Sequence, residues 1–97
     1  MQSGSYQLKL GTFNLSQKIQ NIVTLCQVMI DEHHYQLVIE CPRNLMMTAD
    51  EVKISQVIYN FLSNAFKHTP DGKKITIRAF EKNDWIQVEV EDEGEGI

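Results

Sequence analysis

The 97-residue sequence has few of the residues that mark unusual classes of protein. Two cysteines, two prolines and five glycines are too few for a disulfide framework, a collagen-like repeat or a low-complexity chain. No apolar run approaches the ~18 residues that a membrane-spanning helix needs, and residues 1–5 lack the apolar core of a signal peptide. With 42% hydrophobic and 23% charged residues, the composition is typical of one globular domain, or part of one, and not of a disordered tail.

The two cysteines and the charge balance indicate the setting of the protein. Cys26 and Cys41 each lie within an apolar pattern, which predicts two reduced, buried thiols and hence a cytoplasmic location. Nine Lys and Arg against thirteen Asp and Glu give a formal net charge of −4, so nucleic acid is an unfavourable partner. Residues 84–95 contain six acidic and no basic side chains. The simplest interpretation of this acidic end is a solvated strand edge and turn.

Hydrophobic periodicity predicts two helices. The first begins at Asn14, which is a good N-cap with Gln17 as its capping-box partner, and it runs to about His33. The second runs to about His68 and ends there because Pro70 biases the residue before it away from the helical region. Its N-cap is either Thr48, which would form a capping box with Glu51, or Asp50.

Short runs with alternating or continuous apolar character predict five strands, at residues 6–13, 36–41, 45–47, 75–79 and 86–90. The last two are joined by a hairpin turn at residues 81–84. The predicted order is therefore strand, helix, two strands, helix, two strands. This order favours an α+β fold, a two-layer α/β sandwich with both helices on one face of a mixed β-sheet.

The second helix carries the residues that could bind a ligand. On a wheel of about 100° per residue, a polar stripe lies beside the apolar face, with Asn60 and Asn64 one turn apart and Lys67 following. Asparagine is a poor helix former, so the stripe is either a polar rim facing water or a binding site. Amide oxygens are hard, neutral ligands suited to Mg²⁺, and the lysine would then reach phosphates. The predicted core face comprises Ile54, Val57, Ile58, Phe61, Leu62 and Ala65.

Two motifs in the second half of the chain resemble those of sensor histidine kinases. Residues 56–72, QVIYNFLSNAFKHTPDG, resemble the N-box, and residues 90–97, VEDEGEGI, resemble the first glycine box, Asp-x-Gly-x-Gly-Ile. They occur in the family's order and at the family's separation. The resemblance covers essentially the whole chain. Residues 1–13 resemble the end of the linker from the dimerisation helices plus the first strand, and residues 14–97 resemble part of the ATP-binding domain.

The resemblance implies a Bergerat-type site for ATP and Mg²⁺. By motif position, Asn64 is the Mg²⁺ ligand, Asn60 supports the metal and the phosphates, and Lys67 approaches a phosphate. His68 stands where the family usually has an aromatic ring near the adenine. The remaining matches are Asp92, the carboxylate that accepts from the adenine amino group, and Gly94 and Gly96, the hinge of the nucleotide lid.

The activity implied is that of a protein-histidine kinase. The domain would supply the γ-phosphate of ATP to a histidine on a separate dimerisation domain, and the parent protein would act on a response regulator. None of His33, His34 and His68 lies in the family's acceptor motif, so we expect no catalytic residue within this chain. The parent kinase would be cytoplasmic, either soluble or anchored to the membrane.

Two alternatives stay open. Gyrase B, the MutL mismatch-repair proteins and the ninety-kilodalton heat-shock chaperones share this ATP fold, but they carry a glutamate general base where this chain has Asn60. Because an amide cannot take a proton from water, an ATPase is the less favoured hypothesis. The other alternative is a non-catalytic interaction module, because the sequence ends at Ile97, before the family's second glycine box.

The same end point predicts a fold whose C-terminal part is missing. We expect the strand at residues 85–91, or a neighbour, to have an unpaired edge through which the chain self-associates. We also expect weak or no ATP binding by the isolated chain. The opposite expectation is a compact monomer, because the acidic residues 89–95 would repel one another across a paired edge.

Overall fold

The computed structural model describes residues 9–93. Its elements follow the predicted order, with the first helix divided in two. In chain order they are β1 (Leu10–Asn14), α1 (Leu15–Leu25), α2 (Gln27–His33), β2 (Gln36–Glu40), β3 (Met46–Asp50), α3 (Glu51–His68), β4 (Lys74–Lys82) and β5 (Trp85–Asp92).

The strands form a mixed sheet and a separate two-stranded ribbon. In the sheet, β2 runs parallel to β4, and β4 runs antiparallel to β5, in the order β2-β4-β5. A parallel pair needs a crossover connection, and β3 with α3 supplies it. The ribbon pairs β1 with β3 in an antiparallel register. The predicted mixed sheet is therefore confirmed, and the first and third strands lie outside it.

The core lies between the helices and one face of the mixed sheet. Along β4, Ile75, Ile77 and Ala79 are buried, whereas the alternate positions are mixed, with Thr76 buried and Arg78 and Phe80 half-buried. One face of the strand is therefore covered more completely than the other. Six large side chains are almost fully buried: Leu15, Ile19, Ile58, Leu62, Ile75 and Ile77. Because they come from α1, α3 and β4, the two-layer α/β sandwich predicted from the sequence is confirmed.

The first predicted helix is interrupted at Cys26. The amide of Cys26 donates to the carbonyl oxygens of both Ile22 (3.2 Å) and Val23 (3.0 Å), and its ψ of 3° departs from helical geometry. The predicted extent to His33 is correct, but the continuity is wrong. Hydrophobic periodicity does not detect the break, because Cys26, at the break, and Ile30, after it, are both still buried. The second piece ends at His34, which adopts the left-handed conformation with φ of 58°.

The N-terminus of the first helix agrees with the prediction in its N-cap but not in its capping box. Asn14 is the N-cap, and its side chain accepts from the backbone amide of Ser16 at 3.0 Å. Gln17 does not complete a capping box, because its side-chain amide donates to Asn21 at 3.4 Å. A local i, i+4 pair on the helix surface thus replaces the capping contact.

Of the two candidate caps for α3, the structure selects Asp50. Its carboxylate accepts from the backbone amides of Val52 and Lys53 at 3.1 and 3.2 Å. Thr48, the other candidate, lies within β3, where its hydroxyl pairs with that of Thr12 at 2.8 Å across the ribbon. The capping box with Thr48 is therefore wrong, because the strand continues three residues further than its apolar pattern indicates.

The hairpin between β4 and β5 is tighter than predicted. Pairing extends to Lys82 and Trp85, which leaves a two-residue turn, Asn83 and Asp84. Asn83 has φ of 57°, and asparagine is one of the few residues that tolerates this left-handed conformation in short hairpins.

Candidate functional site

A cavity of about 290 Å³ lies between the C-terminal half of α3 and the end of β5. Its α3 lining follows the i, i+3, i+4, i+7 spacing of one helical stripe, and its β5 lining consists of two alternate strand residues. The lining residues are Phe61, Asn64, Ala65, His68, Val90 and Asp92. Three residues singled out in the sequence, Asn64, His68 and Asp92, are thus brought to one cavity from segments more than twenty positions apart.

Asp92 is held at the last paired position of the sheet. It lies opposite Ile75 in the β4–β5 register. Immediately after it, the amide of Glu93 donates to the carbonyl of Lys74 at 3.0 Å, and the Glu93 carboxylate accepts from the amide of Lys74 at 2.8 Å. An ionised carboxylate is an acceptor only, so Asp92 presents an acceptor to a ligand in the cavity.

Asn64 contributes the polar group of α3 to this cavity. Its amide oxygen suits a hard cation such as Mg²⁺, and its NH₂ group supplies two donors. Within residues 9–93, no group of three or more His, Cys, Asp or Glu side chains has a metal-binding arrangement.

The other candidate residues have different surroundings. Asn60 lines a second cavity of about 430 Å³, formed between α1 and α3, whose walls include Ile22, Leu25 and Tyr59. Lys67 is exposed in the last turn of α3, where a cation is favoured by the helix dipole. Gly94 and Gly96, the candidate hinge, lie outside the described residues.

Phe61 and Val90 line the cavity although neither was a candidate site residue. Phe61 was predicted to lie in the core, but 41% of it is exposed, and Val57 is also exposed at 45%. The buried face of α3 is thus narrower than the predicted arc and centres on Ile58, Leu62 and Ala65. The spacing of Phe61 from Asn64 and His68 is the signal that places it on the site stripe.

The acidic residues near the C-terminus divide between two faces of the sheet. Arg78 donates to Glu40 (2.8 Å), Glu91 (3.1 Å) and Glu89 (3.3 Å), and these hydrogen bonds raise the pKa of the arginine further above its ordinary value. Asp92 is the next residue after Glu91 and therefore points to the opposite, helix-covered face. The acidic end thus contains a cross-strand ion cluster on one face and a site residue on the other.

Comparisons with known proteins agree with this arrangement. The family model of histidine kinase-, DNA gyrase B-, and HSP90-like ATPases matches residues 49–97. Histidine protein kinase DivJ of Caulobacter vibrioides is 31% identical over 93 residues, covering 95% of this chain and 16% of DivJ. Sensor histidine kinase WalK of Bacillus subtilis is 38% identical over 72 residues, covering 71% of this chain and 12% of WalK.

Solved structures show the same fold. The catalytic domain of histidine kinase ThkA superimposes with a TM-score of 0.87 and 27% identity, covering 92% of this chain and 62% of that domain. Full-length ShkA, solved in complex with AMPPNP, gives a TM-score of 0.84 at 20% identity and covers 97% of this chain and 20% of ShkA.

A mixed sheet covered on one face by helices, with a cavity between α3 and β5, defines the class as a two-layer α/β sandwich. The chain belongs to the family of histidine kinase-, DNA gyrase B-, and HSP90-like ATPases. DivJ, WalK and ThkA are histidine kinases, and within that family the chain belongs to the ATP-binding catalytic domain of sensor histidine kinases. The chain spans 12–16% of the length of these two curated relatives. Among the helices described, none combines the length and hydrophobicity needed to cross a membrane.

Proposed function

We propose that this chain is the catalytic domain of a cytoplasmic two-component histidine kinase, which supplies the γ-phosphate of ATP to a histidine on a separate dimerisation domain. The observation that carries the proposal is the meeting of Asn64, His68 and Asp92 at one cavity. Together they offer an amide, a ring and an acceptor-only carboxylate, which suit the metal-bound phosphates, the plane of a base and its amino group.

The base-binding part of the proposal rests on Asp92, His68 and Phe61. The Asp92 carboxylate accepts from the exocyclic amino group of adenine and rejects guanine, which presents a carbonyl oxygen at the equivalent position. His68 and Phe61 give planar faces near the base, and Val90 completes an apolar wall. Partial exposure of these rings in the ligand-free chain is expected for a wall that a ligand covers.

The phosphate-binding part of the proposal rests on Asn64, Asn60 and Lys67. Asn64 holds Mg²⁺ through its amide oxygen, and Asn60 and Lys67 support the metal and the phosphates from the adjacent turns of α3. Bound Mg²⁺ supplies positive charge that offsets the charge of the triphosphate. Gly94 and Gly96 follow Asp92 in the glycine box and act as the hinge of the nucleotide lid.

Transfer to a histidine, rather than hydrolysis, follows from the residue at position 60. A glutamate there would deprotonate water, whereas the Asn60 amide cannot accept a proton in this way. The second substrate is therefore a histidine carried on the dimerisation domain of the parent protein. A response regulator receives the phosphoryl group next. ThkA has been solved in complex with the response regulator TrrA, and we extend that type of partner to the parent of this chain.

The edge of the mixed sheet gives a further part of the proposal. Within residues 9–93, β5 pairs with β4 along one edge and with no strand along the other, and unpaired edges recruit other chains. The isolated chain self-associates through this edge and binds ATP weakly. Light scattering at several protein concentrations tests this, and a mass that stays at the monomer value at every concentration would contradict it.

Nucleotide titrations test the function itself. Amide signals of the 97-residue chain are followed by NMR with MgATP and with MgGTP, a method that detects millimolar affinity. We expect ATP to shift the amide signals of α3 and β5. The control is Asn21→Ala, which replaces an exposed asparagine of α1 and should respond to ATP as the wild type does. Transfer of labelled phosphate is then measured in the longer parent protein. Hydrolysis of ATP without a phosphohistidine product would reject the kinase in favour of an ATPase.

A further inference from the structure

One carbonyl group in the last turn of α3 has no backbone amide of the following segment from which to accept a hydrogen bond. The carbonyl of Phe66 would ordinarily accept from the amide four residues on, but residue 70 is proline, which has no N–H. Thr69 has already left helical geometry, with φ of −104° and ψ of 122°, as the residue before a proline tends to do. The Phe66 carbonyl therefore needs a donor from another part of the chain.

Tyr35, at the junction between α2 and β2, supplies that donor. Its hydroxyl lies 2.9 Å from the carbonyl oxygen of Phe66 and 2.8 Å from that of Thr69. Both partners are acceptors, so the single hydroxyl hydrogen is shared between them. Tyr35 is only 8% exposed, and a carbonyl left without a donor at a buried place carries a full desolvation cost.

The rings around Tyr35 fix its hydroxyl in place. The Tyr35 ring stacks on Phe66, with centroids 5.5 Å apart and an interplanar angle of 6°, and it also stacks on His33, with centroids 5.4 Å apart. The segment after α3 is attached to the same junction. His33 Nδ1 lies 2.9 Å from the Asp71 carboxylate, and the Gly72 amide donates to the His33 carbonyl at 2.9 Å.

We propose that Tyr35 is a positioning residue for the nucleotide site, which replaces the donor missing at Pro70 and so holds the last turn of α3 in its binding conformation. That turn carries Lys67 and His68, and the inference rests on their proposed roles in binding ATP. Tyr35 itself lines no part of the cavity between α3 and β5 and acts through the backbone of α3.

The hydroxyl keeps its hydrogen under physiological conditions. Burial, together with the negative charge of Asp71, raises the pKa of Tyr35 above the ordinary tyrosine value. Two carbonyl oxygens at hydrogen-bonding distance are compatible only with a protonated hydroxyl, so the geometry and the pKa direction agree.

The test compares Tyr35→Phe, which removes only the hydroxyl, with two matched controls in the 97-residue chain. Tyr59→Phe removes a hydroxyl from a tyrosine of α3 that is 52% exposed. Ile19→Val weakens the core at a fully buried position of α1 and lowers global stability without touching the last turn. Amide hydrogen exchange is measured in the 97-residue chain without nucleotide, and MgATP affinity is measured by calorimetric titration of the parent protein carrying the same substitutions.

We expect Tyr35→Phe to speed exchange of the amides in the last turn of α3 by about tenfold relative to the first turns, and to weaken MgATP binding about threefold to tenfold. Both controls should bind MgATP within about twofold of wild type. Unchanged relative exchange, or unchanged affinity, in Tyr35→Phe would overturn the inference while ATP binding stands. A wild-type parent protein that gives no MgATP response would overturn the proposed function, and this inference with it.

Discussion

Asn60 and Asn64 lie one turn apart on α3, yet they line two different cavities. Asn64 shares its cavity with His68 and Asp92, whereas Asn60 shares the other with side chains of α1 such as Ile22. The two amides, which the sequence places on one polar stripe, therefore have unequal access to a ligand held between α3 and β5. We therefore expect nucleotide binding to depend more on Asn64 than on Asn60.

Replacement of the two asparagines tests this difference. Asn64→Ala removes the proposed Mg²⁺ ligand, and we expect autophosphorylation of the parent kinase to fall by about 10²-fold or more, the scale for loss of a positioned electrostatic contact. Asn60→Ala should cost less, because its cavity is the one beside α1. Ordinary autophosphorylation by Asn64→Ala, measured with labelled ATP at saturating Mg²⁺, would contradict the assignment.

The carboxylate of Asp92 is expected to determine the choice of base. Asp92→Ala leaves the amino group of adenine without its acceptor, so the preference for ATP over GTP should disappear. Parallel titrations of wild type and variant with the two nucleotides measure the ratio of affinities. Glu91→Ala, on the opposite face of β5, is the matched control and should keep the wild-type ratio. An unchanged ratio in Asp92→Ala would remove this residue from base recognition.

Stability should depend on Asp50 more than on Thr48. Asp50 is buried and accepts from the first amides of α3 and from the amide of Lys9 at 3.1 Å. Loss of a helix N-cap costs about 0.5–2 kcal/mol, and Asp50→Ala should fall in the upper half of that range. Thr48→Ala should change the free energy of unfolding by less than about 0.5 kcal/mol, because its hydroxyl contact is exposed. Urea unfolding curves of both variants measure the two values, and equal losses would refute the choice of cap.

Alkaline pH is expected to destabilise the fold. Burial raises the pKa of the Cys26 and Cys41 thiols, and burial with the charge of Asp71 raises that of Tyr35. For each group the folded-state pKa lies above the unfolded one. The stability that it contributes is therefore complete below the unfolded pKa and is lost as pH rises through the folded pKa.

The free energy of unfolding should thus be steady at neutral pH and decline above about pH 8, where thiols begin to ionise in the unfolded chain. Tyr35→Phe keeps both cysteines but lacks the phenol. The stability difference between wild type and Tyr35→Phe should therefore shrink above about pH 10. A difference that stays constant through this range would show that the phenol ionises equally in both states.

Much of the fold could be predicted from periodicity and end signals. Strands 36–41, 75–79 and 86–90 and the ends of α3 are close to those observed, because their patterns depend on a single buried face. The break at Cys26 and the choice of Asp50 over Thr48 could not be predicted. The first changes backbone hydrogen bonds without changing which residues are buried, and the second depends on strand pairing with a segment that lies thirty-six residues earlier.

The three polar residues that line the cavity between α3 and β5 were among the predicted candidates, whereas Asn60 and Lys67 were also predicted but do not line it, and its apolar residues Phe61 and Val90 were not predicted as site residues. Asn64, His68 and Asp92 were identified through the motifs that contain them, and the structure brings them to one cavity. Phe61 was assigned to the core, since an apolar residue on a helix has the same spacing whether protein or ligand covers it. Nothing in the local sequence links Tyr35 to α3, because the link is made by tertiary contacts.

The hydrogen bond from the Tyr35 hydroxyl to the Phe66 carbonyl joins residues that are 31 positions apart in the chain. A helix usually forms its terminal hydrogen bonds from neighbouring residues, but here Pro70 removes that possibility. The last turn of α3 therefore depends on a distant segment of the chain, whereas the first turn is capped by Asp50, which directly precedes it. We expect the part of the helix that carries His68 to be stable only while the junction that carries Tyr35 stays packed against it.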